Sequence, residues 1–557
     1  MRLIYLALIP ALALGACKKV DSEVDSSSLP EVSVPEMSDA TMKEITEKLS
    51  SDEFEGRAPG TPGEEKTITY LVDKFKGAGL EPGNGDSWFQ NVPLVEISAK
   101  NTSPLTFTGK DGASMSFAER KDFVAVTYQE QPKIDVKDSD VVFVGYGINA
   151  PEKGWNDYEG VDVKGKTVII LVNDADFGTE SLEGEFGGRA MTYYGRWTYK
   201  FEEAARQGAA AALIIHDEAP AAYGWNVVES SWTGPQFYAQ TANGGADQTK
   251  VNGWIQKAVA EKLFSAAGQD LNKAMAAAKT KGFKAVDLGM KASLSFENEF
   301  AKKDSKNVIG ILKGAKRPDE YVLYTAHWDH LGRCTAAPDG DDICNGAVDN
   351  ATGTAALVAL AEAFKKQGAP DRSVIFLAVT AEESGLLGSK YYAENPVYPL
   401  SKTAGGVNMD AFSMTGLAKN LTVIGKGKSQ LDAYVAAAAK IEGRTPDAEP
   451  TPEKGFYYRS DHFSFAKLGV PMVYFEGGDD LVNGGKSAGE AAAKDYTENR
   501  YHGPKDEYNP NWDWSGVMAD LRLYYQVGRM LAMTDTWPNW NEGDEFRATR
   551  DKSRAEK

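Results

Sequence analysis

The sequence predicts an α/β protein: a mostly parallel mixed sheet with helices on both faces, interrupted by a separate β-rich block. Three observations predict it. From residue 305 onward, β-rich apolar runs (NVIGILKG, YVLYTAH, SVIFLAVT, AGGVNMD, VPMVYFEG) alternate with helical stretches such as TGTAALVALAEAFKKQG. Strands alternating with crossover helices make parallel sheets covered on both faces. Between 135 and 298 the texture changes to short β-rich runs (DVVFVGYGI, KTVIILVND, AAALIIHD) with one helical stretch, YKFEEAARQGA. Finally, 557 residues are too many for one ordinary domain.

Taken in order, residues 3–16 (LIYLALIPALALGA) are apolar, follow Arg2 and are too short to span a bilayer, so 1–17 reads as a signal peptide. Leu14-Gly15-Ala16-Cys17 resembles a bacterial lipobox with Cys17 as the lipidated residue; the alternative is an ordinary secretory signal cleaved nearby. Either way the expected location is outside the cytosol: lipid-anchored in the cell envelope facing the periplasm, or soluble in the periplasm or medium. Residues 18–40 are rich in Ser, Glu, Val and Pro without a period and read as a flexible tether. A helix starts near Ser38 and runs through MKEITEKLSS, the loop FEGRAPGTPG follows, and a second helix, EEKTITYLVDKFKGAG, stops at glycine. The expected division is a discontinuous domain of 41–130 and 299–535, an inserted domain of 131–298, and a loose charged tail of 536–557. A helix at about 515–533 closes the larger domain.

Hydrophobic residues at 42% and charged residues at 25% exclude a disordered chain. Eighty acidic against sixty-one basic residues, a net charge of -19, argue against nucleic acid and against electrostatic docking on anionic lipid. Any membrane attachment would run through Cys17. A small polar or cationic ligand suits the charge better. Cys334 and Cys344 lie ten residues apart in a Gly/Asp/Pro-rich loop, which in an exported protein reads as a disulfide, with free thiols or metal ligands as the alternative.

Four of the five histidines fall between 305 and 535; the fifth, His216, reads as a strand-end residue. His327 and Asp329 end one strand, Glu382 and Glu383 follow another, Asp410 ends a third, and Asp349 precedes a helix in GAVDNATG. In an open parallel sheet the carboxyl ends of the strands line the functional crevice. Each residue alone reads equally as a helix cap, an ion-pair partner or a surface group. Together, imidazole and several carboxylates are what a hydrolytic zinc site requires.

The segments His327-Trp328-Asp329, Asp349-Asn350, Glu382-Glu383-Ser384-Gly385-Leu386-Leu387-Gly388-Ser389, Asp410 and Tyr501-His502-Gly503-Pro504-Lys505-Asp506 occur in this order. Together they resemble the co-catalytic di-zinc exopeptidase family, which includes secreted bacterial aminopeptidases, glutamate carboxypeptidase, glutaminyl cyclase and the non-enzymatic transferrin receptor. The resemblance covers about 41–130 and 300–535, and the block around ARQGAAAALIIHD resembles the protease-associated domain that several members insert.

The resemblance implies two Zn²⁺: one held by His327, Asp349 and Asp410, the other by Asp349, Glu383 and His502, with Asp349 bridging. Three carboxylates against two such ions leave a charge of about +1, which favours a strongly acidified bridging water. It further implies Glu382 as general base, Tyr501 as hydrogen-bond donor to the oxyanion, Asp329 as the group that orients His327, and a cis Asp349–Asn350 peptide. His330 is expected in a loop or supporting role. Arg459, Asp461 and His462, before Gly469-Val470-Pro471, resemble the segment bordering the substrate pocket, a structural hydrogen-bonding role being the alternative. His462 competes with His502 as ligand, but the context of His502 matches the ligand motif better. Trp512, Trp514, Trp537 and Trp540 are expected to pack.

The activity implied is removal of N-terminal residues from peptides, with a carboxypeptidase or dipeptidase as the alternative. An aminopeptidase meets an ammonium with carboxylates, whereas a carboxypeptidase meets a carboxylate with arginine, for which Arg459 is available. Glutaminyl cyclisation, which uses one zinc, and a binding module with a decayed site fit less well, because every expected ligand and Glu382 are present.

Overall fold

The computed structural model describes residue 26, residues 29–334 and residues 336–555. Residues 1–17, expected as a signal peptide with Cys17, and most of residues 18–28 lie outside the described residues. Among those described, no helix is long and apolar enough to cross a membrane.

The larger body is built on a mixed, mostly parallel sheet, as the alternating pattern predicts. The strand Arg317–His327 lies at its centre, parallel to Arg372–Val379 on one side and to Thr403–Asn408 on the other. Thr403–Asn408 pairs in parallel with Met472–Gly477, beyond which Asn420–Ile424 runs antiparallel. The opposite edge is closed by the end of Val286–Leu312, antiparallel to Arg372–Val379. Alternation along the central strands feeds two apolar layers. Val322, Tyr324, Ala326 and Phe376 pack on Leu357, Leu360, Phe364 and Leu521 of the helices Thr352–Lys366 and Ser515–Met533. Leu323, Ile375, Leu377 and Val379 face the other way, onto Tyr392, Phe465 and Val470. The first helix, Asp39–Leu49, begins where Ser38 Oγ accepts the Ala40 amide at 3.2 Å.

The strand Val286–Leu312 is 27 residues long and belongs to both parts of the molecule. Its residues 297–308 pair with Phe89–Lys100, while residues 286–297 pair with Lys133–Phe143 and Leu105–Gly109. The second part has its own core, in which Leu105, Phe107 and Phe117 pack with Phe143, Ile169, Leu213, Ile255 and Phe264. Residues 105–126, placed from sequence with the first half of the larger domain, therefore pack with the β-rich block instead. Their apolar runs suit either body; pairing with residues 290–293 and 252–255 decides between them.

Two more expectations are corrected at the chain ends. Within 29–38, where a free tether was expected, Leu29, Val32, Val34 and Met37 pack against the larger core. The tail is not loose: Trp540, Phe546 and Arg550 are buried, and residues Arg547–Ala555 form a helix. Trp540 Nε1 donates to the Gly469 carbonyl, and the Arg550 guanidinium donates to the Thr403 and Ala404 carbonyls. The charge-rich composition hid three anchoring side chains.

Candidate metal centre

Three neighbouring parallel strands deliver their polar ends to one edge. Arg317–His327 ends on His327, Arg372–Val379 leads to Glu382 and Glu383, and Thr403–Asn408 leads to Asp410. Asp349 arrives from the stretch before the helix Thr352–Lys366, and its peptide bond to Asn350 is cis. Ala381, Ala411 and His502 each take a left-handed backbone (φ 52°, 57° and 57°). Such strained non-glycine residues cluster where a chain must aim a functional group.

His327 Nε2 lies 3.2 Å from Asp349 Oδ1 and 3.1 Å from Asp410 Oδ1. His502 Nε2 lies 3.3 Å from Asp349 Oδ2 and 3.1 Å from Glu383 Oε2. Asp349 thus turns one oxygen toward each histidine. Potential ligand atoms of His327, Asp349 and Asp410 fall within 4.8 Å of one another, as do those of His330, Asp349 and Glu383, and of His327, Glu382 and Glu383. Imidazole nitrogens and carboxylate oxygens so gathered fit a divalent ion such as zinc.

The electrostatics point the same way. Burial works against charge on His327, but Asp410 and Glu382 overcome it and hold the imidazole well above its ordinary range. For His502 burial is likewise outweighed, by Glu383 and Asp349. Burial alone would raise Asp349 and Glu383; contacts with the histidines instead hold Asp349 well below the carboxylate range and Glu383 at about 2. Glu382 goes the other way: burial, then the neighbouring Asp410, Glu383 and Asp461, raise it well above an ordinary glutamate. The site therefore holds Asp349 and Glu383 below the ordinary carboxylate range and Glu382 above it.

A surrounding layer fixes these groups. Ser460 Oγ donates to Asp410 Oδ2 at 2.5 Å, Asn408 Nδ2 donates to Ser460 Oγ at 2.7 Å, and Thr325 Oγ1 donates to Asn408 Oδ1 at 2.6 Å. The Asp506 carboxylate accepts the Val348 and Asp349 amides, each at 3.0 Å, and the Tyr496 hydroxyl at 3.2 Å. Asn350 Oδ1 accepts the Gly353 and Ala411 amides, and its Nδ2 donates to the Met409 carbonyl. Hydrogen bonds of this kind set ligand orientation. Asp506 and Asn350 stood inside the recognised motifs without assigned roles.

Some expectations about single residues shift. His327 Nδ1 bonds to the backbone carbonyl of Asp329 at 3.0 Å, while the Asp329 carboxylate is 3.8 Å away and accepts the Glu382 amide at 3.2 Å. Asp329 therefore holds the turn carrying Glu382, and its own carbonyl orients His327. His330 is buried and donates from Nδ1 to Glu383 Oε1 at 2.7 Å. Tyr501 is 48% exposed at the mouth, its ring stacked on His502 with centroids 3.8 Å apart. Asp461 and His462 have no exposed surface. His462 packs between Tyr457 and Tyr474, and burial pulls its pKa down to about 3. Neither the half-buried Arg459 nor the buried Arg196 of the β-rich block has a carboxylate partner among the described residues. Cys334 and Cys344 are joined in a disulfide. Trp514 and Trp540 are buried, and Trp537 carries the Arg554 guanidinium 3.4 Å above its ring.

An α/β sheet whose carboxyl edge gathers three histidines and three further carboxylates around a shared aspartate defines the class: a protein with a metal-capable centre. The family is more particular. Residues 307–526 match Peptidase family M28. His327, Asp349, Glu382, Glu383, Asp410 and His502 all fall inside that stretch. Aminopeptidase NAALADL1 of Mus musculus is 31% identical over 158 residues, covering 27% of this chain and 19% of the relative. A glutamate carboxypeptidase 2 homolog of Caenorhabditis elegans is 28% identical over 198 residues, covering 34% and 24% respectively. The matched stretches thus span a quarter or less of those relatives' lengths. The solved aminopeptidase from Aneurinibacillus sp. strain AM-1 overlays 90% of this chain and 95% of its own, with a TM-score of 0.49 and 20% identity.

Proposed function

We propose that the protein is a zinc-dependent exopeptidase that removes N-terminal residues from peptides. The observation that carries the reading is Asp349, with one oxygen toward His327 and the other toward His502. This arrangement supports two metal positions: one at His327, Asp349 and Asp410, the other at Asp349, Glu383 and His502. Zinc bound there supplies Lewis acidity toward the scissile carbonyl and lowers the pKa of the attacking water.

The chain's own residues do the rest. Glu382, raised in pKa and held by the Asp329 contact to its amide, takes a proton from the attacking water and returns it to the leaving amine. Tyr501, at the mouth, offers its hydroxyl to the oxygen that gains charge. His330 holds one oxygen of Glu383 so that the other faces His502. The excess of carboxylates suits a substrate that arrives with a free ammonium.

A second reading, a carboxypeptidase or dipeptidase, is favoured by the pair Arg459 and Arg196. Two guanidiniums without carboxylate partners suit a substrate carboxylate. The β-rich block, which we read as a protease-associated domain, would then contribute to the substrate cleft. Export and lipid attachment at Cys17 complete the reading, and mass spectrometry of the mature N-terminus checks them.

The deciding experiment is mass-spectrometric digestion of a peptide library by zinc-loaded protein, each peptide with a free and an acetylated N-terminus. Shortening of free N-termini alone is expected. Trimming of acetylated peptides from the C-terminus would replace the reading with the second one. Silence on both sets, with zinc bound, would overturn both.

A further inference from the structure

The first loop of the larger body, FEGRAPGTPG, carries a residue that none of the chemistry above uses. Glu55, Gly56 and Arg57 follow one another in the left-handed region, with φ of 51°, 66° and 53°. Gly56 is required there: a Cβ would stand 2.6 Å from the carbonyl oxygens of both Cys344 and Gly332. The turn sends Arg57 inward until only 1% of it is exposed.

Inside, the guanidinium meets carbonyl oxygens on every side. Nε donates to Trp328 at 2.9 Å, one terminal nitrogen to Leu49 at 2.7 Å and Asn345 at 2.6 Å, and the other to Gly346 at 2.8 Å. Trp328 sits between His327 and Asp329. Asn345 and Gly346 lead directly into the stretch that carries Asp349. One planar fork therefore ties the loop of the first histidine to the loop of the shared aspartate, and both to the end of the first helix. Asp329, Asp506, Asp349 and Glu383 lie close enough to favour its charge; burial lowers its pKa to about 10, which leaves it protonated at neutral pH.

We propose that Arg57 is a positioning residue of the metal centre, setting the spacing of the His327 and Asp349 loops and placing a fixed positive charge behind the carboxylates. The proposal rests on reading the cluster as a metal site. A lysine cannot replace the fork, because an ammonium offers three donors from one point rather than five in a plane. Arg372 and Arg550 supply the contrast. They too are buried, Arg372 bonded to the Leu531 and Asp535 carbonyls and paired with Glu320, Arg550 bonded to the Thr403 and Ala404 carbonyls, but none of these partners lies on a loop of the site.

The test is zinc affinity, measured by competition with a chromophoric chelator, for the wild type and for R57K, R57M, R57A and R372M. The expected result is a roughly 10- to 100-fold weaker zinc affinity in R57K and R57M, the range seen when groups supporting metal ligands are removed. The near-UV circular dichroism should stay native, kcat should fall more than KM, and added methylguanidinium should restore zinc binding to R57A. R372M should lower the melting temperature and leave zinc affinity unchanged. Wild-type zinc affinity in R57M, or a loss no greater than in R372M, would overturn the proposal. Should R57M not fold, R57K, which keeps the charge without the fork, decides in its place. A wild type that binds no zinc would instead remove the metal-site reading on which the proposal rests.

Discussion

Glu382 and Glu383 are adjacent in sequence and opposite in behaviour, because their neighbours differ. Glu383 contacts His502 and His330 and is held at about 2, whereas Glu382 sits among carboxylates and keeps a proton more readily. If Glu382 is the base, Glu382→Gln should lower kcat by at least about 10²-fold while zinc content stays at the wild-type level; turnover near the wild-type rate would exclude that role. Asp506→Asn tests the surrounding layer. The amide keeps the volume but weakens a charge-assisted acceptor for the Val348 and Asp349 amides. A loss of zinc affinity within roughly 10- to 100-fold is expected by chelator titration. At this scale the sequence was legible for residues within a motif. It was silent about Arg57, Asn408 and Ser460, whose roles come from contacts with elements distant in the chain.

The secondary structure of the larger body follows its sequence closely. Arg317–His327, Arg372–Val379 and Thr403–Asn408 are apolar runs ended by polar residues, and burial on both faces leaves such strands few alternatives. The chain ends behaved otherwise. In NWNEGDEFRATRDKSRAEK, charges outnumber the two apolar anchors, and only docking shows that Trp540, Phe546 and Arg550 are interior. Trp540→Ala should therefore destabilise the larger body by about 3 kcal/mol or more, seen as a lower unfolding transition by calorimetry. An unchanged transition would mean that the tail contributes nothing to the fold.

For the whole molecule, acidity links a buried histidine to stability. His462 is neutral when folded, its pKa pulled down to about 3 from 6.5 by burial. The unfolded chain binds a proton below about 6.5, so stability falls as pH drops from there toward 3, by up to about 1.4 kcal/mol per unit. Asp461 acts with the opposite sign: raised by burial to about 7, it favours the folded state at low pH and loses that contribution as pH rises toward 7. The comparison with His462→Phe isolates the histidine. Between pH 6.5 and 4 the variant should lose less melting temperature than the wild type, and parallel profiles would exclude the linkage.

By itself the sequence determined the α/β class, the order of strands and helices after residue 305, and the group of His and acidic residues at the strand ends. Those features are local: periodicity and the residues that end a run set them. Only the tertiary structure decided that residues 105–126 pack with the β-rich block, that the tail docks, that the Asp329 carboxylate serves Glu382, and that Arg57 ties two loops of the site together. Each of these depends on which surfaces and carbonyls meet across long separations, and a buried guanidinium bonded to backbone oxygens leaves no pattern in the residues it binds.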